Sequence, residues 1–321
     1  MKTSWHYVVT GGAGFIGSHL VERLIGEGCR VTVIDDFSTG TIENLRSVAG
    51  HPALRVLPTK VSDCRELASI VAEATGVYHL AAAVGVELVI RSPIQTILTN
   101  LRETECVLEA AGQGAVPTLV ASTSEVYGKS NKDQFSEEDD LLIGPPRLAR
   151  WSYACSKLMD EFLAMAYVRE RQLPVTVVRL FNTVGPRQTG RYGMVLPRFI
   201  AAAKAGRPLT VYGDGRQTRC FCYVQDTVDA LTRLRRTPSA HGQVFNVGSD
   251  SEIAIRDLAA LVVRQLASNS PLEFLPYEQA YAPGFEDMLR RRPDIEKCAA
   301  LTGFRASTSL ERIIEWTAAS M

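Results

Sequence analysis

Short apolar runs alternate with longer amphipathic stretches through the first half of the chain. The longer stretches carry apolar residues at helical spacing, as Ile16, Leu20 and Leu24 do within residues 14–27. The apolar runs have the length of buried strands, and they fall at residues 6–10, 31–34, 54–57, 77–80, 119–122 and 175–180. Two further long helices are predicted at residues 94–111 and 153–171. This alternation predicts an α/β fold with a doubly wound parallel sheet and helices on both faces.

The pattern changes after residue 180, where glycine and proline become frequent and the apolar runs become shorter. We therefore divide the chain into a sheet domain at residues 1–180 and a smaller lobe, mainly for substrate binding, at residues 181–321. A strand-like run at residues 244–247 is a candidate to return to the main sheet.

A glycine-rich turn joins the first predicted strand to the first predicted helix. Gly11 permits the tight turn, Gly14 lets the backbone approach a pyrophosphate, and Gly17 lets the helix pack closely on the strand. Asp35 ends the next strand, near the spacing expected for an acid on a ribose 2′-hydroxyl, and it favours NAD over NADP. The sequence therefore predicts a Rossmann-type dinucleotide site. Its expected contacts are Gly11, Gly14, Phe15, Ile16, Gly17, Asp35 and Asp36.

Tyr153 and Lys157 lie four residues apart and so share one face of a predicted helix. A tyrosine needs help to act as a base at neutral pH, and an adjacent ammonium together with a positive nicotinamide ring favours its phenolate form. The spacing also occurs by chance in structural helices, so this pair alone does not establish catalysis.

Polar residues follow the predicted strand at residues 119–122, at the edge where a parallel sheet binds its ligands. Thr123 is a hydrogen-bond donor for a sugar hydroxyl, and Glu125 is a second acid or base. The alternative interpretation of this segment is a polar cap on the strand end.

Composition excludes several other classes. Lysine plus arginine and aspartate plus glutamate both number 35, so no net charge attracts nucleic acid or an anionic membrane. The seven cysteines fit neither a disulfide framework nor a four-ligand zinc site, and we expect cytoplasmic thiols and no metal. The longest apolar stretch, residues 77–90, is too short to span a bilayer.

Five motifs together resemble the extended short-chain dehydrogenase/reductases of the nucleotide-sugar epimerase/dehydratase group. They lie at residues 10–17, 79–82, 122–128, 153–157 and 181–186. The resemblance implies a catalytic triad of Thr123, Tyr153 and Lys157, and a homodimer formed through the two long helices. It further implies cofactor contacts from Leu80, Ala81, Ala82, Tyr153 and Lys157, and substrate contacts from Asn182 and Arg219.

One departure concerns the adenine end of the cofactor site. The family often has an acid after the third strand that contacts adenine, but Lys60 occupies that place in this chain. The adenine contact at this position is therefore in doubt.

The subgroup most similar to this chain is the UDP-glucuronate decarboxylases, including UDP-xylose synthase and UDP-apiose/xylose synthase. The shared features are residues 124–128, Arg150 with Trp151, and the late run at residues 284–293. The resemblance implies that Ser124 and Arg291 contact substrate. The related 4,6-dehydratases carry an aspartate at the place of Ser124, and serine is a poor acid, so dehydration is disfavoured.

Decarboxylation also has a chemical logic. A ketone at carbon 4 lies β to the carboxylate of a uronic acid, so oxidation primes the loss of carbon dioxide. Arg291 can orient the carboxylate, and Glu125 can manage the proton at carbon 5.

Two other functions remain open at this stage. Residues 185–198 are more similar to an epimerase, so a 4-epimerase of a UDP-hexose or UDP-uronate is an alternative. An NAD-binding regulatory protein without catalysis is a third possibility, against which Thr123, Tyr153 and Lys157 argue.

Overall fold

The computed structural model describes residues 5–83, 92–189, 194–276, 279 and 288–321. Within these residues the strands are β1 (His6–Thr10), β2 (Arg30–Ile34), β3 (Leu54–Leu57), β4 (Gly76–His79), β5 (Thr118–Thr123), β6 (Val175–Leu180), β7 (Thr183–Val184), β8 (Leu209–Tyr212), β9 (Thr218–Cys220), β10 (Cys222–Tyr223), β11 (Gln243–Val247), β12 (Glu252–Ala254) and β13 (Leu272–Leu275). Seven of them form one parallel sheet in the order β11-β6-β5-β4-β1-β2-β3.

The helices of the described residues alternate with these strands. They are α1 (Phe15–Gly26), α2 (Leu67–Ala72), α3 (Pro93–Gly112), α4 (Trp151–Arg171), α5 (Val195–Lys204), α6 (Val224–Arg235), α7 (Ile255–Gln265), α8 (Glu296–Thr302) and α9 (Leu310–Ala319). The long helices expected at residues 94–111 and 153–171 are α3 and α4, each extended by one or two residues.

Both faces of the sheet are covered, because successive residues of a strand point to opposite sides. Val9 packs with Leu20 of α1 and Leu231 of α6 on one face. Its neighbour Val8 packs with Leu108 of α3 on the other face. The doubly wound α/β fold predicted from the sequence is confirmed.

A second core lies outside the sheet. Phe199 of α5, Leu258 of α7 and Ile313 of α9 pack together with Leu209 of β8. These elements all come from the chain after residue 180 and form a separate layer beside the sheet.

The run at residues 244–247 lies within β11, which pairs in parallel with β6 at the edge of the main sheet. Gln243 lies opposite Thr176, and Val247 lies opposite Leu180. Helix α6 also packs on the sheet side, against α1. The chain after residue 180 thus supplies elements to both layers.

Parallel pairing brings the carboxyl ends of the strands to one edge of the sheet. Thr10, Ile34, His79, Thr123 and Leu180 are the last residues of five of these strands. The segments that follow these residues meet at this edge, where doubly wound folds bind their ligands.

Candidate functional site

A cavity of about 780 Å³ opens at this edge of the sheet and extends towards the second layer. Every residue that the sequence analysis singled out for a site lines it: Gly11, Gly14, Phe15, Ile16, Gly17, Asp35, Asp36, Leu80, Ala81, Ala82, Thr123, Ser124, Glu125, Tyr153, Lys157, Asn182, Arg219 and Arg291. Segments far apart in the sequence therefore form one continuous surface.

The glycine turn packs so closely on neighbouring backbone that it leaves no room for side chains at Gly11 and Gly17. Gly11 has φ +69, and a Cβ there would lie 2.7 Å from the backbone nitrogen of Ala81. A Cβ at Gly17 would lie 2.1 Å from the carbonyl oxygen of Gly11. Helix α1 begins without a side-chain cap at Gly14, which leaves its first N–H groups to face an anion.

Asp35 is fixed next to this turn. Its Oδ2 accepts a hydrogen bond from the Ala13 N–H at 2.8 Å, and its Oδ1 accepts one from the Phe37 N–H at 2.9 Å. Burial raises the pKa of Asp35, although these two hydrogen bonds oppose the rise. The carboxylate is thus oriented by the backbone before any ligand arrives, as an acceptor for ribose hydroxyls requires.

The end of the cavity beyond Asp35 contains a carboxylate that the sequence analysis missed. Lys60 lines the cavity as expected, but so does Glu103 of α3, which is 5% exposed. The Glu103 carboxylate accepts hydrogen bonds from the N–H groups of Val61 at 2.7 Å and Ser62 at 3.3 Å. The sequence signal that could have identified Glu103 is an acid on the face of a predicted helix that also carries its apolar residues.

Tyr153 and Lys157 lie one turn apart on α4 and face the cavity. Burial raises the pKa of Tyr153, and the carboxylates of Glu125 and Asp160 raise it further, against a hydrogen bond from Thr123. The Lys157 ammonium forms a buried ion pair with Asp160 at 2.7 Å, which the sequence analysis did not foresee. The sequence analysis expected an unpaired Lys157 ammonium beside Tyr153, whereas in the structure this ammonium is ion-paired with Asp160.

Two arginines hold Glu125. Arg291 donates to Glu125 through Nη1 and to Asn182 Oδ1 through Nη2. Arg150 Nη2 lies 3.3 Å from Glu125 Oε2. Burial alone would raise the pKa of Glu125, but Arg291 and Arg150 outweigh it and lower the pKa below the ordinary value. Glu125 is thus a carboxylate at neutral pH, and of the two roles expected for it, the base fits and the acid does not.

Arg150 is a second residue that the site assignment from sequence left out, although its pair with Trp151 belongs to a recognised motif.

Arg219 and Asn182, the two other expected substrate contacts, are held in place by hydrogen bonds to backbone carbonyl groups of β9. Arg219 Nη1 donates to the Thr218 carbonyl at 2.7 Å, and Asn182 Nδ2 donates to the Cys220 carbonyl at 2.9 Å.

Some expected features lie outside the described residues, namely residues 190–193 and the run at residues 284–287. In the ranges that the structure does describe, no group of three or more His, Cys, Asp and Glu side chains is arranged to hold a metal ion. The helices within those ranges include none that is long and apolar enough to cross a membrane.

Known proteins that are similar to this chain in sequence include two decarboxylases of UDP-linked uronic acids. UDP-N-acetyl-alpha-D-glucosaminuronate decarboxylase from Bacillus cytotoxicus is 40% identical over 314 residues, which cover 96% of each chain. UDP-glucuronic acid decarboxylase 1 from Danio rerio is 36% identical over 309 residues, covering 95% of this chain and 69% of that protein.

Among solved structures, UDP-glucuronic acid 4-epimerase from Bacillus cereus, in complex with UDP-glucuronic acid and NAD, superposes with a TM-score of 0.87 at 28% identity and covers 98% of both chains. UDP-N-acetylglucosamine 4-epimerase from Methanobrevibacter ruminantium superposes with a TM-score of 0.90 at 28% identity, covering 99% of this chain and 98% of that one.

A family model described as the NAD dependent epimerase/dehydratase family matches residues 7–248. The resemblance inferred from the five motifs is confirmed, and so are the NAD cofactor and the enzymatic nature of the chain. With the glycine turn, Asp35 and the Tyr153–Lys157 pair assembled in one cavity, the chain belongs to the NAD-dependent epimerase/dehydratase family.

Proposed function

We propose that this protein decarboxylates a UDP-linked uronic acid, with UDP-glucuronate and its 2-acetamido analogue as the candidate substrates. The observation that carries the proposal is the cluster of Arg150, Glu125 and Arg291. This cluster of two guanidinium groups and one carboxylate carries one net positive charge, and Arg219, which lines the same cavity and also acts on Glu125, adds to it. The carboxylate of a uronic acid offsets that charge, whereas a neutral hexose leaves it uncompensated in a half-buried place.

Arg291 is suited to this carboxylate. Its two Nη atoms are engaged by Glu125 and Asn182, each in one hydrogen bond. A guanidinium carries five N–H donors, so donors remain for the substrate after both protein contacts are made. The names of the two relatives given above, both decarboxylases of UDP-linked uronic acids, support the same substrate class.

The residues divide the reaction between them. Tyr153 takes the proton of the 4-hydroxyl, with Thr123 hydrogen-bonded to the phenol and Lys157 one helical turn away. Bound NAD⁺ supplies the acceptor for the hydride that leaves carbon 4. Arg291 orients the carboxylate that lies β to the new ketone, and the C–C bond breaks with release of carbon dioxide. Glu125, held as a carboxylate, accepts a hydrogen bond from the water molecule that gives its proton to carbon 5 of the enolate.

A 4-epimerase of a UDP-uronate is the second candidate. It is favoured by the close superposition of the Bacillus cereus UDP-glucuronic acid 4-epimerase. Both reactions begin with oxidation at carbon 4. The decarboxylase then loses the substrate carboxylate as carbon dioxide, whereas the 4-epimerase retains it.

One NMR time course in deuterated buffer separates the two reactions. UDP-glucuronate and UDP-N-acetylglucosaminuronate are incubated separately with the enzyme and NAD⁺. We expect carbon dioxide, a five-carbon sugar product and solvent deuterium at carbon 5 with one of them. A 4-epimer with all six sugar carbons retained and no label at carbon 5 would overturn the proposal. Tyr153→Phe is the control for background decarboxylation.

We also propose that the protein is a homodimer through α3 and α4, which pack against each other. Ile94 and Leu98 of α3 are 75% and 59% exposed, and Met159 and Phe162 of α4 are 53% and 60% exposed. Apolar side chains exposed this far on adjacent helices are typical of a protein interface. Sedimentation equilibrium tests the proposal: we expect a dimer for the wild type and a monomer for Phe162→Asp, and a wild-type monomer would contradict it.

A further inference from the structure

Asp160 is a buried acid that the proposed chemistry does not use. It lies on α4 three residues after Lys157, its side chain is fully buried, and it does not line the cavity. Its Oδ2 lies 2.7 Å from the Lys157 Nζ, whose side chain is 3% exposed. A charge this deeply buried is costly unless it is paired, so the two residues depend on each other.

The charged groups around Asp160 leave Lys157 as its counter-ion. On the same helix, Glu161 is engaged by Arg179 of β6, with Arg179 Nη2 2.8 Å from Glu161 Oε2. From α3, Thr104 hydrogen-bonds both to Asp160 and, at 3.0 Å, to His79. Burial raises the pKa of Asp160 above its ordinary value, although Lys157 and Thr104 oppose the rise. Burial lowers the pKa of His79 to about 3, so this imidazole is neutral and does not compete for the carboxylate.

The pair changes what Lys157 does to Tyr153. A lone ammonium one helical turn away would favour the phenolate, but an ammonium paired with a carboxylate contributes little net charge at that distance. The other charged side chain that acts on Tyr153 is Glu125, which favours the phenol. Of the three N–H donors of Lys157, two remain for hydroxyl groups of a ligand in the cavity.

We propose that Asp160 is a positioning residue that holds the Lys157 ammonium and offsets its charge, so that Tyr153 stays a phenol in the free protein. The positive nicotinamide ring of NAD⁺, already expected from the sequence to favour the phenolate, is then the charge that lowers the pKa of Tyr153. The proposal rests on the role given to Tyr153 above, but its test uses neither substrate nor turnover.

The test is a spectrophotometric titration of Tyr153 in the free protein. The phenolate absorbance of each variant is measured against the same variant carrying Tyr153→Phe, which isolates one tyrosine. Asp160→Asn keeps the shape of the side chain and removes its charge. We expect the pKa of Tyr153 to fall by at least about one unit, equal to ~1.4 kcal/mol. Glu170→Gln, an exposed acid on the same helix, is the matched control and is expected to leave the titration unchanged. An unchanged or raised pKa in a folded Asp160→Asn protein overturns the proposal.

A double variant covers the case in which Asp160→Asn does not fold. Lys157→Gln with Asp160→Asn removes both charges and keeps a hydrogen-bonded pair. If Asp160 offsets Lys157, the pKa of Tyr153 in the double variant stays within about half a unit of the wild-type value. If the Lys157 charge acts on Tyr153 unopposed, losing it raises that pKa by more than about one unit, and the proposal fails.

Titration of the wild type with saturating cofactor tests the second half of the proposal. We expect the pKa of Tyr153 to be lower in the NAD⁺ complex than in the NADH complex by at least about one unit. Equal values in the two complexes would show that Tyr153 does not respond to the cofactor charge and would overturn this part.

Discussion

Arg291 donates hydrogen bonds to Glu125 and, through its other terminal nitrogen, to Asn182. The contact joins a loop near the end of the chain to the strand-end segment after β5. All three residues line the cavity, and the contact gives the proposed function its most direct mutational test.

Replacing Arg291 with alanine leaves Glu125 without its main ionic partner and removes a donor for the substrate carboxylate. We expect kcat/KM for the UDP-uronate to fall by at least ~30-fold, corresponding to about 2 kcal/mol, because half of a buried charge pair is lost. NAD binding, measured by calorimetry, should be unchanged.

The matched control is Arg290→Ala. Arg290 is 42% exposed and pairs with Asp133 and Glu252 at the surface, where solvent screens an ion pair and leaves it a small contribution. We expect its kcat/KM to stay within about threefold of the wild-type value. Equal losses in the two variants would mean that Arg291 acts through stability and not through the substrate.

Glu103 gives a prediction about adenine recognition. With the pyrophosphate at the start of α1 and the ribose at Asp35, adenine is expected beside Lys60 and Val61, next to the Glu103 carboxylate. Two of its roughly four lone-pair sites accept from the N–H groups of Val61 and Ser62, and others remain for the adenine amino group.

We therefore expect the wild type to bind NAD about tenfold or more tighter than nicotinamide hypoxanthine dinucleotide, which lacks that amino group. In Glu103→Met the preference should disappear, whereas in Glu105→Gln, an exposed neighbour, it should persist. Calorimetry measures all of these affinities. A preference that survives Glu103→Met would assign Glu103 to loop structure alone.

Asp35 predicts the choice between the two dinucleotides. Its oxygens are fixed by Ala13 and Phe37 and cannot turn away from a 2′-phosphate, so charge repulsion is unavoidable. We expect the wild type to bind NADP at least ~100-fold more weakly than NAD. In Asp35→Asn the difference between the two affinities should become smaller, mainly because the affinity for NAD falls. Comparable affinities of the wild type for both would contradict the assignment.

His79 predicts a pH dependence of stability. Its pKa in the folded protein is about 3, against an ordinary value of 6.5, because it is buried. Protons therefore bind preferentially to the unfolded chain, and stability is lost as the pH falls below the ordinary value. From about pH 7 to about pH 5 this one group is expected to cost ~2 kcal/mol of unfolding free energy.

Urea unfolding of the wild type and His79→Gln at both pH values measures this contribution as a difference. The loss on acidification should be smaller in His79→Gln by ~2 kcal/mol, while His51→Gln, at an exposed position, should follow the wild type. Parallel losses in the wild type and His79→Gln would show that His79 does not titrate in this way.

Much of the site was predictable because its residues follow local rules. Gly11 and Gly17 belong to a turn that only glycine can make, and Thr123 and Asn182 lie one and two residues after predicted strands. A parallel sheet brings strand ends to one edge, so strand prediction alone places them together.

The residues that were missed depend on how helices pack. Glu103 and Asp160 lie on α3 and α4 and face inward, where their partners come from a loop and from the same helix. Periodicity locates the inward face of a helix, but it does not say which polar groups of other segments lie opposite Glu103, or which side chain of its own helix Asp160 pairs with. The role of Arg150 likewise depends on Glu125, which lies on another element.

The return of β11 to the sheet has a consequence for dissecting the protein. A fragment that ends at residue 180 would leave β6 as an open edge, with backbone N–H and C=O groups along Val177 and Val178 facing solvent. Unpaired apolar edges of this kind add strands from other molecules, so such a fragment is expected to aggregate. A soluble minimal unit must reach at least Val247, which also keeps α6 packed against the sheet.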